Sequence, residues 1–250
     1  MRISICKQGK FETFQIGDKP EDPVFTIPDL LVHLSSVQSD RRMSEVVKAT
    51  EMKVMAGSST GDCATFTDNF VKLLKERTGI DKSDYPFCEF SLYPAYPAKF
   101  VGLDKAAIGS AGQDDGICSF SALRALKNIT KTPAHTAFCV FHSYEETGSN
   151  GTFGAQSDFM PQCVRDIMFR VGIDPRKHSA VMSKSLAVAA DVTALYDVNY
   201  ASAHDKYNAC TINKGIGLER YTGSRGKSGS SEVSAELLGY IRENTNTSLF

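Results

Sequence analysis

The period of apolar and polar positions changes along the chain, and those changes divide it. Residues 2–6 and 11–17 alternate around Lys7-Gln8-Gly9-Lys10, which predicts a β-hairpin. After the turn-forming Gly17-Asp18-Lys19-Pro20 and Asp22-Pro23, Ile27, Leu30, Leu31, Leu34 and Val37 recur at helical spacing behind Pro28-Asp29, predicting an amphipathic helix. Residues 38–62 are polar and mixed. A second helix is predicted over 65–78, with Phe66, Phe70, Leu73 and Leu74 on one face and Gly79 as its stop. Residues 87–93 alternate again as a strand, and Pro94 and Pro97 close this region.

Beyond residue 98 the spacing becomes that of alternating helices and strands, the pattern of an α/β domain. Gly112-Gln113-Asp114-Asp115 leads into a helix with Ile117, Phe120, Leu123 and Leu126 on one face. The run Ala137-Phe138-Cys139-Val140-Phe141 predicts a buried strand over 136–143, ending near the adjacent acids Glu145 and Glu146. A helix over 157–171 carries Phe159, Val164, Ile167 and Met168, and a short apolar strand, 186–190, ends at Asp191. A stretch with Tyr196, Tyr200 and Tyr207 leads to the apolar run 212–218. The glycine-serine loop TGSRGKSGSS (222–231) then opens a last helix over 232–243. Two domains follow from this division, 1–98 and 99–250.

Composition narrows the class little. The chain has 250 residues, 42% hydrophobic and 23% charged, enough for one large or two smaller globular domains. A net charge of -1 gives no reason to expect nucleic acid or an anionic membrane surface as a partner. No apolar run approaches the roughly 20 residues needed to span a bilayer. The first residues, MRISICKQGK, lack the apolar core of a signal peptide. The seven cysteines are scattered singly, with no C-x-x-C, which points to free thiols and a cytoplasmic location. The sequons at Asn128, Asn150 and Asn246 then carry little weight.

The acids change the picture more. Asp114 precedes a helix, Glu145 and Glu146 follow one predicted strand, and Asp191 follows another. In open α/β sheets the carboxyl ends of parallel strands are where chemistry collects. If the two strands are parallel neighbours, the three sites meet at one edge. Adjacent glutamates raise each other's pKa unless something offsets the charge, and a divalent metal does so. On the residues alone, Asp114 also reads as a helix N-cap and Asp191 as a loop acid. None of the five histidines stands at ligand spacing with another. His33 lies beside Leu30 and Leu34, where a partner could cover it. The Gly-Lys-Ser of 222–231 invites a phosphate-loop reading, but the required earlier glycine is Tyr221, so the spacing fails. Arg225 and Lys227 could still hold an anion there.

Five segments, VFTIPDLLVHL, GQDDGICSFSALRAL, SYEETGSNGTFGAQSDF, AADVTALYDVNY and RYTGSRGKSGSSEVSAE, occur in an order that resembles the aspartyl aminopeptidase and vacuolar aminopeptidase I family of zinc metallopeptidases. The resemblance spans nearly the whole chain. It implies an α/β fold, a partial α/β/α zinc-exopeptidase catalytic domain (99–250) behind a mixed, β-rich dimerisation domain (1–98). It also implies a di-zinc enzyme that removes N-terminal amino acids from peptides. Asp114 would bridge the zincs, Glu146 would bind one, Asp191 would bind the other, and Glu145 would be the general base. His33 would reach the active site of a neighbouring subunit, and the chain would assemble as a homo-oligomer.

Two family features have no match in this sequence. One is an early histidine-threonine-aspartate motif whose histidine joins Asp114 and Asp191 at one zinc. His135-Thr136-Ala137 lacks the aspartate and follows Asp114. The other is a late histidine that joins Asp114 and Glu146. Each zinc is therefore expected to keep two of its three protein ligands, in a chain truncated at both ends relative to the family. The sheet would also have exposed edges. The alternative is a catalytically impaired member acting as an oligomerising or structural subunit, and a third reading is an anion- or nucleotide-binding domain built on 222–231.

Overall fold

The hairpin forms because two successive residues accept the left-handed backbone that a two-residue turn requires. Gln8 has φ 51° and Gly9 has φ 77°. They join strand β1, Arg2–Lys7, to strand β2, Lys10–Gln15, in an antiparallel register running from Arg2 opposite Gln15 to Lys7 opposite Lys10. A third strand, β3, Cys88–Ser91, pairs antiparallel with the other edge of β1, giving the order β2-β1-β3. These strands come from a computed structural model, which describes residues 1–59, 65–218 and 231–244. The chain divides into two compact units, Met1–Pro97 and Ala98–Phe250.

In the first unit, alternation along β1 puts Ile3 and Ile5 on one face, and both are buried. Ile3 packs with Ile16, Leu74 and Ile80, and Phe14, Phe25, Phe70 and Tyr85 close around them. Leu74 comes from helix α1, Phe66–Thr78. The Thr65 side chain accepts a hydrogen bond from the Asp68 N–H and so satisfies one orphan donor at the helix start. Gly79, at φ 71°, ends the helix with its N–H donating to the Lys75 carbonyl at 2.8 Å. A 3-10 turn, Lys82–Phe87, leads into β3, and its Asp84 pairs with Lys7 at 2.6 Å, tying the end of β1 to that turn.

The predicted helix at 27–37 is not formed. That stretch holds one 3-10 turn, Val32–Leu34, and one helical turn, Ser36–Ser39. Leu31, Val32, Leu34 and Val37 are all exposed, so among the described residues nothing packs on the apolar stripe to hold it in a helix. Packing rather than propensity supplies most helical stability, and here the packing is missing.

The second unit begins with a short antiparallel pair, β4, Lys99–Val101, and β5, Ala107–Gly109. Helix α2, Gln113–Lys127, helix α3, Phe159–Arg170, the short helix α4, His178–Ser183, and helix α5, Ser231–Asn244, follow. The strands expected at 136–143 and 186–190 have no ladder partners among the described residues. Phe138, Phe141, Leu186 and Val188 are exposed rather than buried. An apolar run becomes a strand only when a neighbour takes its N–H and C=O groups, and the pattern alone carries no information about that neighbour. Further along, Leu195 and Cys210 form an isolated bridge, and 212–218 forms no element. The loop 222–230 lies outside the described residues. No helix among the described residues is long and apolar enough to cross a membrane.

Two predictions follow from the first unit's packing. Leu74→Ala removes a side chain at the centre of the core and is expected to destabilise this unit by about 2–4 kcal/mol in urea unfolding. A loss below about 1 kcal/mol would show that the core relaxes around the gap. The Lys7–Asp84 pair generates a pH dependence. The hydrogen bond from Lys7, then that from the Asp81 N–H, holds the Asp84 carboxyl below its ordinary value, so its contribution is present above that value and is lost as pH falls. The same bond holds Lys7 above its ordinary value, so its contribution is lost at alkaline pH. The melting-temperature gap between the native chain and Lys7→Met is therefore expected to narrow below pH 3.8 and above pH 10.5. A gap constant across both windows contradicts the pairing.

Candidate metal centre

Helix α2 opens irregularly, and the irregularity falls on the candidate ligand. Asp114 has φ -85° and ψ 115°, and the Asp114–Asp115 peptide is cis. The residue at the N-cap position is Gly112, with no side-chain cap, so Asp114 does not serve as the cap. Asp191 lies in an irregular segment, where its Oδ1 accepts the Val192 N–H at 2.7 Å. Although 77 positions apart in sequence, Asp114 and Asp191 meet. One carboxylate oxygen each from Asp114, Asp115 and Asp191 lie within 4.8 Å of one another, and all three residues are exposed.

This proximity marks the electrostatics. The Asp114 carboxyl is pushed above its ordinary value, first by partial loss of water contact and next by a hydrogen bond with Asp115. The charges of Asp191, Asp115 and Glu146 add to this. Glu146 therefore stands within electrostatic reach of the cluster without being one of its three close members. The Cys118 thiol, one turn along α2 from Asp114, is also raised, by desolvation and then by Asp191, Asp114 and Asp115. These neighbours favour the protonated thiol, and only a thiolate is a good metal ligand.

Glu145 and Glu146 sit on the 3-10 turn Glu145–Thr147, both exposed. The turn is bonded to itself. The Tyr144 carbonyl accepts the N–H groups of Thr147 at 3.2 Å and Ser149 at 2.7 Å, and the Glu145 carbonyl accepts that of Gly148 at 3.0 Å. The Ser143 N–H donates to Phe153 across the loop at 3.1 Å. A cavity of about 460 Å³ opens against this loop, lined by Tyr144, Thr147, Asn150, Gly151, Thr152 and Phe153. His33 is exposed on the turn Val32–Leu34 of the first unit. Among the described residues, no histidine joins the three carboxylates.

The donor set fits a hard or borderline divalent ion. Zinc takes carboxylate oxygens at about 2.0–2.2 Å. Three carboxylate oxygens within 4.8 Å of one another are a spacing at which they could hold one ion. A cation also relieves the repulsion that raises Asp114. Sequence reasoning named Asp114, Glu146 and Asp191 and missed Asp115. Its only signal was adjacency in Gln113-Asp114-Asp115, and in a regular helix neighbours one apart point in different directions. Only the departure from helical geometry at Asp114 lets both acids reach Asp191.

Fold and cluster together define a mixed helix-and-sheet protein with a carboxylate centre able to hold a metal. The comparison with known proteins gives the family. Residues 2–249 match the model of the aminopeptidase I zinc metalloprotease (M18) family, and the chain belongs to that family. An M18-family relative from Borreliella burgdorferi is 37% identical over 253 residues, which cover 98% of this chain and 55% of the relative. The crystal structure of an M18-family aminopeptidase from Thermotoga maritima superposes with a TM-score of 0.86 at 33% identity, covering 97% of this chain and 55% of that one. Aminopeptidase I from Clostridium acetobutylicum superposes with a TM-score of 0.83 at 28% identity, covering 99% and 56%. The chain thus spans about half the length of the relatives it matches.

The loop geometry generates a prediction. A Cβ on Gly154 would lie 2.1 Å from the Ser149 carbonyl oxygen, a contact with backbone that cannot yield cheaply. Gly154→Ala is expected to displace the 149–154 loop, seen as amide chemical-shift changes through 143–157 with helix α1 unaffected. Unchanged shifts there would contradict this packing.

Proposed function

We propose that this chain carries the carboxylate side of a di-zinc aminopeptidase centre that removes N-terminal amino acids from peptides. The observation that carries the reading is the convergence of Asp114, Asp115 and Asp191 within 4.8 Å, with the charge of Glu146 acting on Asp114. Membership of a zinc metalloprotease family supports it. In this reading Asp114 would serve both ions, Glu146 would hold one and Asp191 would hold the other. Asp115 places a third carboxylate beside Asp114 and Asp191 in the same cluster. Zinc bound by these residues would supply Lewis acidity for the attacking water and the peptide carbonyl.

Glu145 is the general base. Its carboxylate takes a proton from the attacking water and returns it to the departing amine nitrogen, so the group ends each cycle ionised. The division of labour between neighbours gives sense to the paired acids: one is neutralised by metal and the other stays free to move a proton. Residues 1–98 form the dimerisation domain and 99–250 part of an α/β/α catalytic domain. His33, exposed on its turn, reaches a neighbouring subunit's site in a homo-oligomer. The free thiols of the described cysteines fit a cytoplasmic setting.

The test is zinc content and turnover of leucine p-nitroanilide by the purified chain. Glu145→Gln is expected to lower turnover by about 10²–10⁴-fold while zinc is retained. Asp114→Asn is expected to lose zinc. A chain that holds no zinc at micromolar concentration defeats the proposal.

A further inference from the structure

The turn that presents Glu145 and Glu146 is gripped on its far side by a single residue, Gln156. Two successive left-handed residues, Gly148 at φ 101° and Ser149 at φ 59°, reverse the chain directly after the acids. The peptide carbonyls of these two residues face Gln156. Its side-chain Nε2 donates to the Gly148 carbonyl at 2.7 Å, and its backbone N–H donates to the Ser149 carbonyl at 3.2 Å. Gly154, with no room for a side chain, lets the two limbs come this close.

Gln156 is itself anchored. The next residue, Ser157, donates through both its N–H, at 3.0 Å, and its hydroxyl, at 2.7 Å, to the Gly154 carbonyl. The Ser157 hydroxyl also accepts the Phe159 N–H at the start of α3. Helix α3 in turn buries Val164 and Met168, the two buried hydrophobic residues of the second unit among those described. A short, fully bonded path therefore runs from the packed helix to the turn carrying the acids. Gln156 donates the only side-chain hydrogen bond to that turn's backbone from outside residues 144–149 among those described.

We propose that Gln156 is a positioning residue that fixes the Glu145–Glu146 turn for metal binding and proton transfer, an inference that rests on the proposed function. It touches neither acid. It acts by holding the Gly148 peptide, three residues beyond Glu145, so that the left-handed reversal cannot swing open and carry Glu146 from the Asp114 cluster. A glutamine suits the task because its amide donates to a carbonyl without adding charge beside a carboxylate site.

The experiment uses the full chain with Gln156→Met, which keeps length and loses the donor, and Gln156→Glu, which turns an acceptor toward the Gly148 carbonyl. Amide hydrogen exchange at residues 147–149 is expected to quicken about fivefold in the first, the scale of one lost hydrogen bond, and more in the second, with α3 amides unchanged. Zinc affinity, read by competition with a chromophoric chelator, is expected to weaken by about the same factor, and kcat to fall while KM holds. Unchanged exchange in both variants overturns the clamp. Faster exchange with native zinc affinity and kcat overturns the positioning role. If the native chain takes up no zinc, the proposed function falls, and exchange alone decides the clamp.

Discussion

Repulsion among carboxylates is the constraint on which the second unit turns. Three acids hold oxygens within 4.8 Å of one another, and a fourth, Glu146, acts on the same group. In water such a cluster disperses by rotating its side chains or by taking up protons. The backbone limits the first escape: Asp114 is held out of helical geometry at the start of α2, and Asp191 is fixed by its bond to Val192. The second escape is visible in the raised Asp114 carboxyl. A divalent cation removes the need for either, and it does so best where partial desolvation has already weakened competition from water.

Exposure sets the scale of that effect. All three clustered acids are exposed, so solvent screens them and their mutual repulsion is modest beside that of a buried dyad. The cluster costs the fold little without an ion, and metal binding gains correspondingly less from relief of strain. Affinity must then come from the number and placement of ligands. That puts weight on Glu146 and on the turn that carries it, because a fourth carboxylate adds affinity only if it is already oriented.

Local patterns were legible and long-range partnerships were not. The hairpin around Gln8-Gly9, helix α1 with its Thr65 and Gly79 ends, and the helices at 113–127 and 159–170 all carry their determinants within a few residues. The hairpin was read from alternation around its turn, the helices from their period, and α1 also from its glycine stop. The run 136–143 has as good an apolar pattern as β1, yet β1 finds two partners and 136–143 finds none among the described residues. The stripe 27–37 failed for the same reason in helical form. At the candidate site, Asp114 and Asp191 stood out as acids beside predicted elements, and they do come together in the structure. Asp115 did not stand out, because its place in the cluster goes with a backbone departure at Asp114 that no side-chain pattern announces.

The two units solve the same problem by different means. The first closes a core around Ile3, Leu74 and Ile80, and its geometry is held by burial. The second leaves the apolar face of α2, with Ile117, Phe120 and Leu123, exposed, and buries Val164 and Met168 under α3. The segment expected to deliver Glu145 and Glu146 as a strand makes no ladder among the described residues. What fixes them is the loop itself: the Tyr144 and Glu145 carbonyls on one side, Gln156 on the other, and Gly154 where the limbs cross. Several short hydrogen bonds within fifteen residues need no distant partner to form. Among the described residues, the presentation of the two acids therefore rests on this local hydrogen bonding.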